Sequence, residues 1–177
     1  MKYNFLLISA LLALFSLSSC NEDPKPYKIY NNGVWVYDGG NAVVNTNDNV
    51  ELQFDVQTNL NVDGDVLITD GISIGNDLNL NDGGKVIVNI PWYNDTVYIN
   101  GNINLNDSLL FENGYIILEG NLNINATGIM NISDSSFVHV RGDVNNSGQL
   151  FGTNNLSVDG TFHANGGSTD TPSPLTY

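Results

Sequence analysis

Residues able to perform acid–base or nucleophilic chemistry are few in this 177-residue chain. The two histidines are His139 and His163, and both fall at polar positions of an alternating pattern, where a side chain points away from the core. No serine stands with a histidine and an aspartate as a catalytic triad requires. The aspartates offer many carboxylate pairs for glycoside hydrolysis, and their spacing favours none of these pairs. We therefore expect that the protein is not an enzyme.

Calcium binding is the second chemistry that the sequence suggests. Asp63, Asp65 and Asp82 stand beside glycines, where hard oxygen ligands could hold Ca²⁺. Their spacing matches neither an EF-hand loop nor the glycine-rich nonapeptide repeat. The favoured interpretation is solvated surface carboxylates, and we predict no metal ion or other cofactor.

Exposed aromatic rings are the third feature, because they stack on sugars or anchor protein partners. Trp92 and Tyr93 lie in "IPWYND", where Pro91 interrupts the strand pattern and predicts a loop. Tyr98 follows at an outward position, and Trp35 lies near the start of the predicted domain. These four rings are the candidate ligand or partner contacts. The alternative is that Trp35 and Trp92 only cover the structure next to them.

A sequence repeat must position these residues. Its copies are the segments "LNVDGDVLI", "VYINGNINL", "IILEGNLNI", "VHVRGDV" and "LSVDGTF". We take the glycine of each copy as its reference position and Asp82 as the reference of one further copy. The reference positions are then 64, 82, 101, 120, 142 and 160, and the intervals between them are 18, 19, 19, 22 and 18 residues. Two residues before each reference position stands an apolar side chain: Val62, Leu80, Ile99, Leu118, Val140 and Val158.

The alternation of apolar and polar residues distinguishes a series of hairpins from a chain that winds into the coils of a solenoid. A two-residue turn at each glycine would place the next residue on the core face, yet only Asp, Gly, Asn and Thr stand there. A chain that winds in coils keeps the alternation, and its apolar residues then stack in one inward file. We predict an all-β, single-domain parallel β-solenoid of about six to eight coils over residues 34–164. An antiparallel β-sandwich is the alternative.

Asparagines recur at outward positions of the repeat. One set comprises Asn104, Asn123 and Asn145, and a second set comprises Asn106 and Asn125. Stacked amides hydrogen-bond to each other in cross-β structures. We expect structural amide ladders here, with a glycan-facing or ice-facing array as the alternative.

The N-terminal segment has the features of a secretory signal. It begins "MKYNFLLISALLALFSLSSC", with a basic residue, an apolar run too short to span a bilayer, and small residues. Its last four residues, 17–20, resemble the bacterial lipobox. That resemblance implies a signal peptide over residues 1–19 and a lipid on Cys20, the only cysteine, so no intramolecular disulfide is expected. Residues 20–33 are predicted to form a lipid-anchored tether.

Shorter motifs add three expectations. Glu22 and Asp23 resemble the export signal of surface lipoproteins in Bacteroidota, which implies an outer-membrane or cell-surface location. Asp-Thr-Val at Thr96 and Asp-Ser-Leu at Ser108 resemble the O-glycosylation motif of that group, which implies that these hydroxyls are acceptors. Residues 165–177 are rich in Gly, Ser, Thr and Pro and predict a flexible tail.

The charge limits the choice of partner. Nineteen acidic residues against five basic ones give a net charge of −14, which argues against nucleic acid and disfavours anionic polysaccharides and lipid headgroups. We expect a non-enzymatic, lipid-anchored rigid module that is structural or binds an envelope protein or a glycan.

Two alternatives follow from resemblances of the repeat. Its "VxVxGxV" phrases are similar to those of bactofilins, which implies self-association through solenoid ends, as in a filament or adhesin subunit. A β-helix also resembles the pectin-lyase-like enzymes, which implies a polysaccharide-active enzyme. Such lyases need a base and cations for the uronate, and Lys85 and Arg141 are too few to supply them.

Overall fold

The computed structural model describes residues 27–29, 34–36, 41–91 and 95–169. This part of the chain contains strands and one short 3₁₀ helix, η1 (Thr153–Asn155), but no α-helix. Its parallel strands stack as a β-solenoid of about six turns. The predicted fold class is therefore confirmed, and the antiparallel sandwich is wrong.

Each turn of the solenoid has three faces, which we call A, B and C. Face A contains β1 (Tyr27–Ile29), β2 (Val34–Val36), β3 (Ala42–Val44), β5 (Leu60–Val62), β8 (Leu78–Leu80), β11 (Ile103–Leu105), β13 (Leu122–Ile124), β16 (Val144–Asn146) and β19 (Phe162–Ala164). Face B contains β4 (Asn49–Leu52), β6 (Asp65–Ile68), β9 (Lys85–Asn89), the first half of β12 (Ser108–Leu118), β14 (Ile129–Ile132), β17 (Gln149–Phe151) and β20 (Ser168–Thr169). Face C contains β7 (Ser73–Ile74), β10 (Thr96–Ile99), the second half of β12, β15 (Ser136–Val140) and β18 (Leu156–Val158).

The inward side chains stack in files, as predicted, but in more than one file. On face C, Ile99 lies in register with Leu118, Val140 and Val158 in successive turns. Val62 and Leu80 belong instead to face A, where Leu80 pairs with Leu105 of the next turn. The prediction of one file was right for the last four of its six residues and wrong for Val62 and Leu80.

The reason for this error is that two kinds of corner have the same spacing. In every turn, five residues separate the same outward position on face C from the first inward position on face A. The pairs are 73 and 78, 98 and 103, 117 and 122, 139 and 144, and 157 and 162. From face A to face B the chain also advances five residues at 60 to 65. Gly64 therefore marks an A–B corner, whereas Gly101 marks a C–A corner.

The corner glycines bend the chain without reversing it. Strands β10 and β11 flank Gly101, and each pairs in parallel with strands of the neighbouring turns. A side chain on Gly120 would collide with the carbonyl oxygen of Gly101 in the preceding turn, and one on Gly142 would lie 2.5 Å from the carbonyl oxygen of Gly120. Glycine is required here because successive corners stack closely.

The core is an apolar column along the solenoid axis. Its largest fully buried side chains include Leu80, Ile99 and Leu105, and each such side chain stabilises the fold by roughly 1.5–3 kcal/mol relative to exposure. Asn146 interrupts the face A file at 0% exposure. Its side-chain oxygen accepts from the Gly148 N–H at 3.1 Å and its amide donates to the Ser168 carbonyl at 3.1 Å. This amide therefore ties the last turn to the core.

Several predictions concern residues beyond the described ones. The signal peptide over residues 1–19 and the lipid on Cys20 lie outside the described residues, as do positions 170–177 of the predicted tail. Strand β1 falls within the predicted tether and pairs antiparallel with β2 at the edge of face A, and β20 falls within the predicted tail. Among the described residues, no helix has the length and apolar character needed to cross a membrane.

Candidate functional site

Face A has an outer surface of paired amides. In one ladder the Nδ2 of each asparagine donates to the Oδ1 of the preceding one at 2.8–2.9 Å, and its members are Asn61, Asn79, Asn104, Asn123 and Asn145. A second ladder joins Asn125 to Asn106 at 2.6 Å. Both predicted ladders are confirmed, and the first is two turns longer than predicted. The amides bond to each other, which is a structural role.

A third ladder at the C–A corner was missed in the sequence. Here a side-chain oxygen accepts from a backbone N–H of the next turn at 2.6–3.0 Å, and the accepting residues are Asn59, Asp77, Asn102, Asn121 and Asp143. The signal was visible as the Asn or Asp that follows Gly101, Gly120 and Gly142. Polar residues are also common at solvent-exposed corners without such a bond. Their spacing alone therefore does not identify the hydrogen bond to the next turn.

The corner between faces B and C holds a groove of about 490 Å³. Its lining combines carboxylates, amides, hydroxyls and two aromatic rings, contributed by Asp95, Asn113, Gly114, Tyr115, Asp134, Ser135, Ser136, Phe137 and Asn155. These residues come from four successive turns. The groove therefore runs along the solenoid axis.

The two rings of the groove form a stack. Tyr115 and Phe137 lie in register on adjacent turns, with ring centroids 5.4 Å apart and planes within 7° of parallel. Phe137 is 38% exposed, and Tyr98, on the same face, is 42% exposed. Because a strand side chain points alternately inward and outward, the buried neighbours Ile116 and Val138 fix these rings on the outer surface. Face C thus carries a platform of exposed rings.

A bend in the backbone positions Tyr115. Strand β12 runs from face B to face C without a break, and its register shifts between Phe111 and Asn113. Gly114 has φ of 124°, a conformation that favours glycine, and a side chain there would lie 3.3 Å from the Cβ of Ile90. This bulge directs the next residue, Tyr115, outward on face C.

Hydrogen bonds at Ser133 fix the part of the groove that is formed by residues 134–136 and Asn155. The Ser133 hydroxyl donates to the Glu112 carbonyl at 2.6 Å, and the Ser136 N–H donates to the Ser133 carbonyl at 3.1 Å. The Asn155 amide also donates to that carbonyl, at 3.0 Å. Asp134 is exposed at this turn and lines the groove. The groove therefore has fixed walls with a carboxylate at its rim.

Of the four predicted contact residues, Tyr98 is the one whose side chain the structure describes. Tyr98 is exposed on face C, as its outward position predicted. Trp92 and Tyr93 lie outside the described residues and precede Asp95, which lines the groove. Trp35 is in β2, and its side chain is outside the described part. The sequence missed Tyr115 and Phe137, although both stand five residues before a corner glycine, in adjacent repeats.

Among the remaining candidate residues, Asp63 and Asp65 together line a second groove at the A–B corner. Asp63 accepts from the Asn81 amide at 2.6 Å, Asp65 begins β6, and Asp82 is exposed at the A–B corner. Among the residues that the structure describes, no three His, Cys, Asp or Glu side chains come together as a metal site. Thr96 begins β10, and the Ser108 hydroxyl donates to Asp107 at 3.0 Å.

The two histidines lie apart from each other. His139 is on face C with its Nε2 3.0 Å from an Asp159 carboxylate oxygen, and His163 is exposed on β19 of face A. Neither histidine lines the groove. They therefore form no common site with its carboxylates.

The fold and the groove define a three-faced parallel β-solenoid with an aromatic cleft along one corner. No protein-family model, curated protein or solved structure matches this chain.

Proposed function

We propose that this protein is a non-enzymatic, lipid-anchored module of the outer membrane or cell surface that binds glycans in its B–C groove. The single observation that supports glycan binding is the stacked pair Tyr115 and Phe137, flanked by carboxylates, amides and a hydroxyl. Aromatic rings supply the flat apolar surface on which a sugar ring packs. Carboxylate and amide oxygens accept hydrogen bonds from sugar hydroxyls.

The solenoid supports this proposal through its rigidity. The two rings stand on strands that pair on both sides, β12 with β10 and β15, and β15 with β12 and β18, so their backbone is fixed before a ligand arrives. A preorganised site loses less conformational entropy on binding than a flexible one. A polysaccharide, which is itself a long chain, suits a straight groove that crosses four turns.

The membrane anchor is supported by the sequence alone. The run "LSSC" ending at Cys20 places a lipid at the start of the mature chain, and a polar tether follows it. The rod would then present its groove at a distance from the bilayer. Mass spectrometry of the protein purified from its own membrane should find acyl chains on Cys20, and an unmodified thiol there would contradict the anchor.

The backbone positions of Asp95 and Asp134 disfavour hydrolysis of the retaining type. Asp95 aligns with Gly114 and Ser136 in the next two turns, and Asp134 stands two residues before Ser136. Two turns correspond to about 10 Å along the axis. Inverting glycosidases place their two carboxyl groups about 6.5–9.5 Å apart, and retaining ones about 5–5.5 Å.

Affinity measurements with neutral polysaccharides test the proposed function. Against a panel of glucan, mannan, galactan and xylan, at least one should bind, and Tyr115→Ala or Phe137→Ala should each weaken that binding by about tenfold or more. The control is Leu110→Ala, which removes an outward, partly buried side chain on face B. Circular dichroism confirms the fold of each variant. Unchanged affinity in both ring variants would exclude the groove, and release of reducing sugars would support the enzyme alternative.

Self-assembly is a second candidate function, which one observation favours. Within the described residues, β18 and β19 at the end of the stack pair on one side only, with β15 and β16. Such edges are templates for pairing with another chain. At the other end, β2 pairs antiparallel with β3 and covers that edge of face A. Within the described part of the chain, strands β1 and β4 at that end also pair on one side only, but the antiparallel β2 interrupts the parallel stack there. We therefore take a closed tail-to-tail dimer as the expected form and a filament as its alternative.

A further inference from the structure

We propose, on the basis of the function proposed above, that the B–C groove selects uncharged oligosaccharides and that Asp95 and Asp134 exclude uronic acids and other anionic sugars. Asp95 stands one turn before Tyr115, and Asp134 stands in the same turn as Phe137, three residues before it. Any sugar that covers both rings therefore lies close to at least one of these carboxylates.

The charge balance of the groove carries the selectivity. Among the residues that the structure describes, the groove lining includes two aspartates and no lysine or arginine. The only arginine among the described residues, Arg141, is bonded to Glu119 at 2.7 and 2.8 Å. A uronate carboxylate near Asp134 would meet a like charge without a cation to compensate it, which is unfavourable at close range. A hydroxyl at the same place would donate a hydrogen bond to Asp134.

The length of the groove indicates an oligosaccharide and not a single sugar. Its lining extends from Asp95 to Asn155, across four turns, or roughly 14 Å along the axis at the spacing of β-strands. The rings of Tyr115 and Phe137 cover only the middle of this span. A ligand that lies along the axis therefore contacts the rings and both carboxylates together.

A basic peptide is the competing ligand for an acidic aromatic groove, because arginine also stacks on rings and pairs with carboxylates. The groove favours the sugar, because two thirds of its polar lining is neutral: Asn113, Ser135, Ser136 and Asn155 beside the two aspartates. These groups match hydroxyls better than a run of positive charges. A fluorescent oligoarginine peptide serves as the probe for this outcome.

The decisive experiment compares each hexose polysaccharide of the panel, namely the glucan, mannan and galactan, with its own C6-oxidised form, which carries carboxylates on the same backbone. The wild type should bind the neutral form at least about tenfold more tightly, and high salt should narrow this difference through screening. Asp95→Asn/Asp134→Asn should keep the affinity for the neutral form within about threefold and reduce the discrimination to less than about threefold. The control, Asp82→Asn, removes an exposed carboxylate at the A–B corner and should leave the discrimination unchanged.

The outcomes separate this inference from the proposed function. If a neutral polysaccharide binds but the double variant discriminates as the wild type does, the selectivity mechanism is wrong and glycan binding stands. Equal loss of discrimination in Asp82→Asn would show an effect of net charge and would overturn the role of the groove carboxylates. Binding of oligoarginine in place of every neutral polysaccharide would overturn both proposals.

Discussion

Single asparagine side chains connect the turns of this solenoid. Asn123 accepts from Asn145 at 2.9 Å and donates to Asn104 at 2.9 Å, so each amide uses one donor and one acceptor along the axis. The direction of donation is the same along the whole ladder, from each turn to the one before it. The same residue type therefore recurs for a chemical reason: an amide both donates and accepts, whereas a carboxylate only accepts and an ammonium only donates.

Replacing one amide by a carboxylate tests the ladder. In Asn123→Asp the new side chain offers an acceptor to the Oδ1 of Asn104, so we expect a loss of about 1–3 kcal/mol in the free energy of unfolding at pH 7. The loss should diminish below the ordinary carboxyl pKa of about 3.9, because the protonated group donates again. Denaturant unfolding at pH 7 and pH 3 measures both effects, each relative to the wild type at the same pH.

The matched control is Asn131→Asp on face B. Asn131 is exposed in β14 and pairs in register with Leu110 and Phe151, so no amide stands above or below it. We expect its substitution to change the free energy of unfolding by less than about 0.5 kcal/mol. Equal losses at positions 123 and 131 would show that the ladder contributes no specific stability.

At the scale of elements, strands and corners follow different rules. Strands present apolar residues inward with a period of two, which fixes files such as Ile99, Leu118 and Val140. The C–A corners keep a constant length, whereas the B–C corners vary from the turn at Ser133–Ser135 to helix η1. The A–B corners also vary, between five and seven residues, but the B–C corners vary most, and they carry the groove. Loops that vary on a rigid scaffold are the usual place for binding residues.

The last turn depends on one buried amide. In Asn146→Leu the Gly148 N–H loses its side-chain acceptor and the Ser168 carbonyl loses its donor, at a cost of about 1–3 kcal/mol. Because the Ser168 N–H donates to the Gly148 carbonyl, we expect this loss to detach β20 first. Hydrogen exchange should show faster exchange at the amides of Gly167 and Ser168 than at those of β16.

Ile124→Val provides the control for this element. Ile124 precedes Asn146 in the same inward file, and its substitution should cost about 0.5–1.5 kcal/mol. That cost should lower global stability without selectively exposing Gly167 and Ser168. Uniform exchange in Asn146→Leu would contradict a local role for the buried amide.

At the scale of the whole molecule, the two ends of the solenoid differ. The end at β18 and β19 continues the parallel stack, whereas the other end of face A is formed by the antiparallel strands β1 and β2. A net charge of −14 opposes association at low salt. Association should therefore strengthen as salt screens this repulsion.

Light scattering coupled to size exclusion tests the tail-to-tail dimer. At high protein concentration and 0.5 M NaCl we expect a monomer–dimer equilibrium without larger species. Ala164→Lys, on the exposed strand β19, should shift it to monomer, because an edge lysine opposes strand pairing. Asn131→Lys on face B adds the same charge away from this end and should leave the equilibrium unchanged. Larger oligomers would support a filament, and monomers at every concentration would exclude self-assembly.

The sequence by itself determined that the chain is all-β, that it winds in coils, and that asparagines on successive turns bond to each other. These properties depend on alternation and on recurrence at the coil interval, both of which are local and visible in residues such as Leu118, Asn104 and Asn123. Only the tertiary structure decided how many faces each turn has and which glycine marks which corner. The A–B corner at Gly64 shares the five-residue advance of the C–A corners, so alternation is the same through Gly64 and Gly101.

The groove also required the tertiary structure. Tyr115 and Phe137 are 22 residues apart and meet only because the intervening turn closes in register. Asp95 and Asn155 line the groove from the turn before Tyr115 and the turn after Phe137. Both lie at B–C corners, whose lengths the repeat does not specify. The sequence pattern of inward residues predicts the core, because burial selects apolar residue types. Outward residues are free to vary, so the register between turns decides which of them come into contact.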